Sequence, residues 1–201
     1  MSNQRPLRID FSSSGLRRRV AQTGKSELLL KAIGARNDLH VLDCTAGLGV
    51  DAFLMAAYGC QVTLIEQSQV LAMMLSQAID RATEDPSLIR TACRMQLHQM
   101  NSSEYLQQIT ASMNLSPSFD VIYIDPMFPP RTKSAEVKGN MQILQKFVGK
   151  TGRVEELLAH ALATKTKRVV IKRPLRGGDI EGFVPSFQQK AKSSRFDIYL
   201  Q

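Results

Sequence analysis

The sequence predicts a doubly wound α/β fold, in which a mostly parallel sheet carries an antiparallel C-terminal strand. Short apolar runs rich in β-branched residues alternate along the chain with longer segments whose apolar residues recur at helical spacing. Strands that alternate with helices in this way pair in parallel through right-handed crossovers. The segment 195–200 instead alternates apolar and polar residues at the end of the chain, and we expect it to pair antiparallel.

Each element has a local signal. Strands are expected at the apolar runs 40–44, 61–66, 95–98, 119–124, 168–172 and 195–200. Helices are expected at 26–35, 50–58, 68–81, 103–113, 134–147 and 153–163. Gly59 stops the second helix and Ser68 is a suitable N-cap for the third, whereas Arg17–Lys25 is expected to be a basic loop.

Composition limits the class of protein. A chain of 201 residues with 43% hydrophobic residues can bury the core of one domain and is not disordered. No apolar run approaches the ~18 residues of a membrane span, and no signal-peptide core is present, so we expect a cytoplasmic protein without membrane contact. Three scattered cysteines fit a reducing compartment, and no Cys/His spacing is typical of a metal site.

The net charge of +8 is distributed unevenly. Residues 1–36 hold eight Lys and Arg against two acids, residues 37–130 hold three against ten, and residues 131–201 hold fifteen against six. An acidic centre between two basic flanks favours a small-molecule site in the middle and a polyanion bound by the flanks. The alternative is that these charges are ordinary solvated faces of a basic protein.

A glycine-containing segment follows the first predicted strand. Gly47 and Gly49 allow the backbone to bend tightly and approach a ligand at the start of the next helix. Asp51 at that helix start disfavours a pyrophosphate, and Ala52 stands where a dinucleotide fingerprint needs a third glycine. Glu66 ends the second strand, where an acid can accept both ribose hydroxyls of an adenosine. This set predicts S-adenosylmethionine as the cofactor.

Other interpretations of these residues remain open. Ser102 and Ser103 either hold the edge of the adenine or cap the helix that they begin. Glu66 is alternatively a solvated acid at a strand end. Asp51 is alternatively a charge that stabilises the helix N-terminus through the helix dipole.

The segment Asp125-Pro-Met-Phe128 follows the fourth strand. Pro126 keeps Asp125 extended, so the carboxylate projects at the carboxyl edge of the sheet, where ligands bind in open α/β folds. A carboxylate and a turn carbonyl can accept the two N–H groups of a planar amine, while an aromatic ring such as Phe128 covers its face. The alternative is a loop that a proline merely terminates.

The order of these motifs resembles class I methyltransferases that modify exocyclic amines, and more closely the bacterial small-subunit rRNA guanine-N2 methyltransferases of the RsmJ type. The resemblance covers nearly the whole chain from Ile9 onward. It is carried by residues 43–53, 125–129, 133–138, 169–174 and 195–199.

The resemblance implies a Rossmann-like domain that methylates a guanine exocyclic N2 amine in 16S rRNA, or in the small ribosomal subunit, with S-adenosylmethionine. The amine-binding interpretation of residues 125–128 gives catalytic roles to Asp125, which accepts an N–H of the amine, and to Phe128, which stacks on the base. The residues that match the family's cofactor positions are Val50, Asp51, Glu66, Gln67, Ser102, Ser103 and Asp125. Family members usually carry arginine where this chain has Val50 and Gln67, so any contact made by those arginines is absent.

The chain is short at its N-terminus relative to the family. Residues 1–36 are expected to form a basic N-terminal segment and residues 37–201 the methyltransferase domain. Cationic side chains near the expected site are candidates for RNA phosphates: Arg17, Arg18, Arg19, Lys25, Arg131, Lys133, Lys138, Lys172 and Arg173. Competing hypotheses are a DNA amine methyltransferase and a non-catalytic RNA-binding module of the same fold, and the glycine pattern disfavours a nicotinamide enzyme.

Overall fold

The strands lie close to their predicted positions. The computed structural model describes residues 8–22, 27–112, 119–126 and 154–201. The strands are β1 (His40–Asp43), β2 (Gln61–Glu66), β3 (Met95–Gln99), β4 (Val121–Ile124), β5 (Arg168–Pro174), β6 (Phe187–Lys190) and β7 (Ser194–Leu200).

Helices connect most of these strands. They are α1 (Ser14–Gln22), α2 (Leu28–Ile33), α3 (Val50–Tyr58), α4 (Gln69–Glu84), α5 (Ile89–Ala92), α6 (Ser102–Ala111) and α7 (Val154–Ala163). α3 has its predicted bounds and ends at Gly59. The Ser68 hydroxyl caps α4 by accepting a hydrogen bond from the N–H of Leu71, as predicted. The expected helix at 134–147 lies outside the described residues.

One seven-stranded sheet runs in the order β3-β2-β1-β4-β5-β7-β6. Neighbouring strands from β3 to β5 are parallel, and β7 pairs antiparallel with both β5 and β6. The prediction of a doubly wound, mostly parallel sheet with an antiparallel C-terminal strand is confirmed. From β1 the chain adds β2 and β3 towards one edge of the sheet, and it then returns to add β4 on the other side of β1. The direction in which successive strands are added therefore reverses between β1 and β4. Ligands bind at such a switch point in open α/β sheets.

The core has two parts, one on each face of the sheet. Buried residues of α1 to α5 form one apolar cluster with the strand residues that point towards them, and those of α6 and α7 form a second. Neighbouring residues of β1 show the alternation, because Val41 belongs to the first cluster and Leu42 to the second. Within the described ranges, none of the helices combines the length and the apolar character needed to cross a membrane.

Two short elements and one longer one depart from the sequence prediction. The segment expected to be a basic loop at Arg17–Lys25 is helical as far as Gln22, because Leu16 buries its side chain in the core while Arg17 and Arg18 are exposed. β6 was not predicted, since Phe187–Lys190 is a short, polar edge strand without an apolar run. α5 is a single helical turn, which is too short to show a period.

Asp43 is a buried carboxyl group at the end of β1. Its Oδ1 accepts hydrogen bonds from the N–H of Thr45 at 2.9 Å and from the Thr45 hydroxyl at 3.4 Å. Burial raises the pKa of Asp43 from 3.8 to about 7, with smaller contributions in the same direction from the charges of Asp51 and Asp125. Asp43 is therefore largely protonated in the folded protein below neutral pH.

Gly49→Ala is expected to destabilise the fold. Gly49 has a φ of 70°, and an added Cβ would lie 2.6 Å from Leu75 Cδ1 and 3.2 Å from Phe11 Cζ. Left-handed backbone strain and overpacking together should lower the free energy of unfolding by about 2–4 kcal/mol, measured in urea. Gly178→Ala is the matched control, because its φ is not positive and no heavy atom lies within 4 Å of the added carbon. Equal stability of the two variants would contradict the packing at Gly49.

Asp43→Asn is expected to change how stability depends on pH. The folded-state pKa of about 7 lies above the ordinary 3.8, so between these values the unfolded chain releases a proton that the folded protein keeps. The free energy of unfolding of the wild type should therefore fall as the pH rises through this window. Asparagine keeps an acceptor for Thr45 and cannot ionise, so the variant should be more stable at pH 8 by a few kcal/mol, since a tenfold change in proton affinity corresponds to about 1.4 kcal/mol. Parallel pH profiles of urea unfolding for the two proteins would contradict this assignment.

Candidate active site

The predicted site residues converge at the carboxyl edge of the parallel strands. β1 and β2 end there in Asp43 and Glu66, β4 ends just before Asp125, and Lys172 lies on β5 next to the end of β4. The register pairs Asp43 with Leu64 and Tyr123, and Ile124 with Ile171, so the residues that follow these strands are neighbours across the edge. The site therefore lies at the switch point between β1 and β4.

Glu66 organises the glycine loop between β1 and α3. Its Oε2 accepts a hydrogen bond from the N–H of Gly47 at 2.9 Å, and its Oε1 accepts one from the N–H of Ser68 at 2.7 Å. The residue is only 7% exposed, so the alternative of a solvated acid at a strand end is wrong. A carboxylate has about four acceptor sites, and Glu66 therefore retains capacity for hydroxyl groups of a ligand.

A second wall of the site follows β3. Asn101, rather than either serine, is the N-cap of α6, and its Oδ1 accepts hydrogen bonds from the N–H groups of Ser103 and Glu104. The capping interpretation of Ser102 and Ser103 is therefore wrong. The Ser102 hydroxyl donates to the carbonyl of Cys44 at 2.6 Å, which ties this wall to the end of β1.

Gln67 joins the same wall to the end of β2. The side-chain amide nitrogen of Asn101 donates to Gln67 Oε1 at 3.3 Å. Val50, the first residue of α3, has an apolar side chain that is 37% exposed. Neither residue brings a positive charge to the edge, so the lining around the glycine loop is acidic rather than basic.

Asp125 is fixed to the glycine segment through its backbone. Its N–H donates to Thr45 Oγ1 at 2.6 Å, and the same hydroxyl contacts Asp43. Its side chain is held separately, because Lys172 Nζ lies 2.6 Å from Asp125 Oδ2. Asp125 thus sits in the predicted position at the carboxyl end of β4, with its carboxylate next to a cation on the neighbouring strand.

Asp51 has more partners than a helix-dipole charge would need. Its Oδ2 accepts hydrogen bonds from the Tyr123 hydroxyl at 2.8 Å and from Lys172 Nζ at 3.0 Å, and its Oδ1 lies 3.7 Å from Arg19 Nη1. Arg19 in turn contacts Glu27 at 2.9 Å. Five side chains of alternating charge therefore form a continuous series of contacts from the start of α2, through Arg19 on α1, to the end of β4. Their order is Glu27, Arg19, Asp51, Lys172 and Asp125.

Burial and charge act against each other in this chain of contacts. Burial raises the pKa of Asp125, and the nearby Lys172 ammonium opposes that rise. For Lys172, burial favours the neutral amine, but the carboxylates of Asp51 and Asp125 outweigh it and raise the pKa. Burial, together with the charge of Asp51, raises the pKa of Tyr123, so its hydroxyl stays protonated and donates to Asp51.

A cavity of about 440 Å³ opens beside the same contacts. Its polar wall is formed by Arg19, Glu27, Asp51 and Lys172, and Phe196 adds an apolar surface from β7. Such a volume lies within the range of small-ligand sites. The acidic edge of the sheet therefore adjoins open space on the side of α1.

The structure changes the interpretation of several predicted phosphate contacts. Lys172 contacts two carboxylates, and Arg19 contacts Glu27 and Asp51. Arg17 is paired with Asp85, and Arg173 donates to the carbonyl of Gly178, while Arg18 is exposed on α1. Lys25, Phe128, Arg131, Lys133 and Lys138 lie outside the described residues, so the roles predicted for them stay predictions.

Sequence reasoning missed two contributors to the site, Thr45 and Tyr123, and gave a third, Lys172, a different role. Thr45 links Asp43 to Asp125, Tyr123 positions Asp51, and Lys172 bridges the two carboxylates. Two signals were present in the sequence: a tyrosine within a buried strand needs a partner for its hydroxyl, and a lysine at the end of a buried strand needs a carboxylate. The spacing of the chain does not reveal which partners they choose.

The edge fits a cationic nucleoside better than an anionic one. Asp51, Glu66 and Asp125 supply carboxylates, and in the described part of the edge the cations that contact them are Lys172 and, from α1, Arg19. Gly47 has a φ of 53°, and the nearest heavy atom to an added Cβ is 3.8 Å away, so open space lies over the loop. No group of three or more potential metal ligands is found among the residues that the structure describes.

Comparison with known proteins identifies the family. The model of the family described as "Putative SAM-dependent methyltransferase" matches residues 1–201. The chain is 40% identical over 198 residues to the ribosomal RNA small subunit methyltransferase J of Thioalkalivibrio sulfidiphilus. The matched region covers 97% of this chain and 76% of that protein. The chain is 41% identical over 199 residues to the protein of the same name from Nitrosococcus oceani, again covering 97% of this chain and 76% of the relative.

A solved structure agrees with the sequence relatives. A crystal structure of a SAM-dependent methyltransferase from Neisseria gonorrhoeae superposes with a TM-score of 0.77 at 34% identity, covering 100% of this chain and 77% of the other. The sheet order, the acidic glycine loop and these similarities agree with one another. The chain belongs to the class I S-adenosylmethionine-dependent methyltransferases of the ribosomal RNA small subunit methyltransferase J family.

Proposed function

We propose that the protein methylates the exocyclic N2 amine of a guanine in 16S rRNA, as naked RNA or within the small ribosomal subunit. The relatives with this name act, by that name, on small-subunit ribosomal RNA. An amine is proposed as the methyl acceptor because of the position of Asp125. Its partly exposed carboxylate lies at the carboxyl end of β4 beside the glycine loop, where it can accept an N–H group. In the cell we expect the protein in the cytoplasm, with its RNA substrate.

The cofactor site that we propose surrounds the glycine loop. Glu66 binds the ribose hydroxyls through the acceptor capacity that its two backbone contacts leave free. Gly47 allows close approach of the ligand to the backbone, and Asp51 and Asp125 supply negative charge for its cationic end. The remaining residues of the proposed site are Val50, Gln67, Ser102 and Ser103. S-adenosylmethionine supplies a methyl group on a positively charged sulfur that an amine nitrogen can attack.

Asp125 is proposed to act on the substrate amine. The lone pair of guanine N2 is delocalised into the ring, which makes the nitrogen a poor nucleophile. An N–H bond held by the Asp125 carboxylate favours pyramidal geometry at that nitrogen and directs its lone pair towards the methyl group. As the nitrogen gains a carbon it loses one proton, for which the same carboxylate is the nearest acceptor. The carbonyl of the turn after Pro126 is proposed to hold the second N–H.

Recognition of the RNA is proposed to combine base stacking with phosphate contacts. Phe128 would stack on the extruded guanine, and the basic residues that flank the central segment would contact phosphates. Of the described candidates, Arg17 and Arg18 on α1 expose guanidinium groups to solvent. Lys172 is withdrawn from this set, because both of its contacts are carboxylates of the site.

Asp125→Ala should abolish most methyl transfer while the protein still folds. Removal of a preorganised hydrogen-bond acceptor from the reacting nitrogen should lower kcat by about 10²–10³-fold, measured by transfer of labelled methyl groups to small subunits. Asp80→Ala is the control, since Asp80 is an exposed carboxylate on α4. Near wild-type turnover by the Asp125 variant would refute its catalytic role.

Mapping the methylated base tests the proposed function as a whole. Labelled S-adenosylmethionine is supplied with small ribosomal subunits, naked 16S rRNA and duplex DNA, and the modified nucleoside is identified by mass spectrometry. We expect N2-methylguanosine in ribosomal RNA and no label in DNA. Label in DNA would instead support a DNA amine methyltransferase, and cofactor affinity below detection by calorimetry would support a non-catalytic RNA-binding module.

A further inference from the structure

We propose that Lys172 is a positioning residue, which holds one carboxylate oxygen of Asp125 and leaves the other for the substrate amine. The proposal rests on the proposed function, because it assigns a task to the neighbour of a residue that the reaction is proposed to use. It also replaces the sequence-based interpretation of Lys172 as a phosphate contact. The two roles predict different kinetics.

The two carboxylate oxygens of Asp125 have different surroundings, because Lys172 contacts only one of them. Nζ lies 2.6 Å from Asp125 Oδ2 and 3.0 Å from Asp51 Oδ2. Asp125 Oδ1 makes no hydrogen bond to any part of the chain that the structure describes. The Asp125 side chain is 34% exposed, and we infer that the second oxygen is the one that receives an incoming N–H group.

The sheet itself sets this geometry. Ile124 and Ile171 are partners in the parallel ladder between β4 and β5, so Asp125 and Lys172 are the next residues on adjacent strands. The backbone of Asp125 is fixed by Thr45 on the other side. Lys172 therefore determines the rotation of the carboxylate, since the backbone that carries the side chain is already held.

Lys172 also sets the charge state of Asp125. Among the residues that the structure describes, the charged and titratable groups around Asp125 are Lys172 from β5, Asp51 from α3, Asp43 from β1 and Tyr123 from β4. Burial and the charge of Asp51 raise the pKa of Asp125, and Lys172 is the cation that opposes them. Without it, Asp125 would face Asp51 in a partly dry site and take up a proton at higher pH. A protonated carboxyl loses acceptor capacity for the amine.

Asp51 is held in place independently of Asp125. The Tyr123 hydroxyl and Arg19 contact it from two other directions, at 2.8 Å and 3.7 Å. Lys172 therefore binds the carboxylate of Asp51, which other residues hold in place, and its ammonium group also contacts Asp125. A phosphate-binding lysine would instead direct its ammonium group to solvent, and the side chain of Lys172 is only 29% exposed.

The test compares Lys172→Met and Lys172→Gln with Lys172→Arg. Lys192→Met serves as the control, since Lys192 is an exposed lysine between β6 and β7. The first measurement is the ¹³C titration of the aspartate Cγ atoms in the free protein, with the Asp125 signal identified by its loss in Asp125→Ala. The second is the pH dependence of kcat and KM for methyl transfer to small subunits.

In both neutral variants we expect the Asp125 titration to move to higher pH by at least about one unit. The acidic limb of the kcat profile should move to higher pH by the same amount, so that kcat falls by about tenfold in the pH range of that limb and recovers at higher pH. KM for the RNA should stay within about threefold, and Lys172→Arg should restore most of the activity because it keeps the charge.

Superimposable Asp125 titrations in the wild type and both neutral variants would overturn the proposal. So would a change confined to KM and its salt dependence, which is the signature of a phosphate contact. If the wild type transfers no methyl group to small subunits, the proposed function fails, while the titration in the free protein still decides whether Lys172 controls Asp125.

Discussion

The ion pair of Lys172 with Asp51 and Asp125 is the interaction on which the rest of the site depends. Two carboxylates within reach of one ammonium group could not both remain charged in a partly buried edge without it. These contacts also join three elements, because Asp51 lies in the first turn of α3, Asp125 follows β4 and Lys172 lies on β5. Removing Lys172 leaves two neighbouring carboxylates without the cation that they share, which is costly in a partly buried site. Chemistry and local stability are therefore coupled at the same three residues.

The parallel sheet explains why these residues meet. Strands that run in the same direction deliver their last residues to one edge, and the reversal between β1 and β4 opens a crevice there. Glu66 attaches the glycine loop to the end of β2, and Ser102 attaches the start of α6 to the end of β1, so the cofactor side is held by part-buried hydrogen bonds. The amine side depends on the rotation of one carboxylate. Thr45 joins the two sides, because its hydroxyl accepts a hydrogen bond from the N–H of Asp125 while its backbone belongs to the glycine segment.

The sequence predicted most of the parallel sheet, because buried strands and amphipathic helices leave local patterns. α3 and β2 match the predicted bounds, and their ends coincide with glycine residues or with an acid at the edge. It did not predict α1, whose only buried anchor is Leu16, or β6, which has no apolar run. In the site, residue types and spacing indicated Glu66 and Asp125, but partner choice depends on the register between β4 and β5. Sequence alone therefore assigns Lys172 to a phosphate contact and Tyr123 only to a strand.

Asp125 is proposed to share its carboxylate between Lys172 and a guanine amine. A crystal structure of the protein with S-adenosylhomocysteine and a guanine-containing RNA fragment from its substrate tests this sharing. We expect Lys172 Nζ to stay on one oxygen of Asp125, while guanine N2 lies about 3 Å from the other. A guanine whose N2 points away from Asp125, or a Lys172 that has left Asp125 for an RNA phosphate, would contradict it.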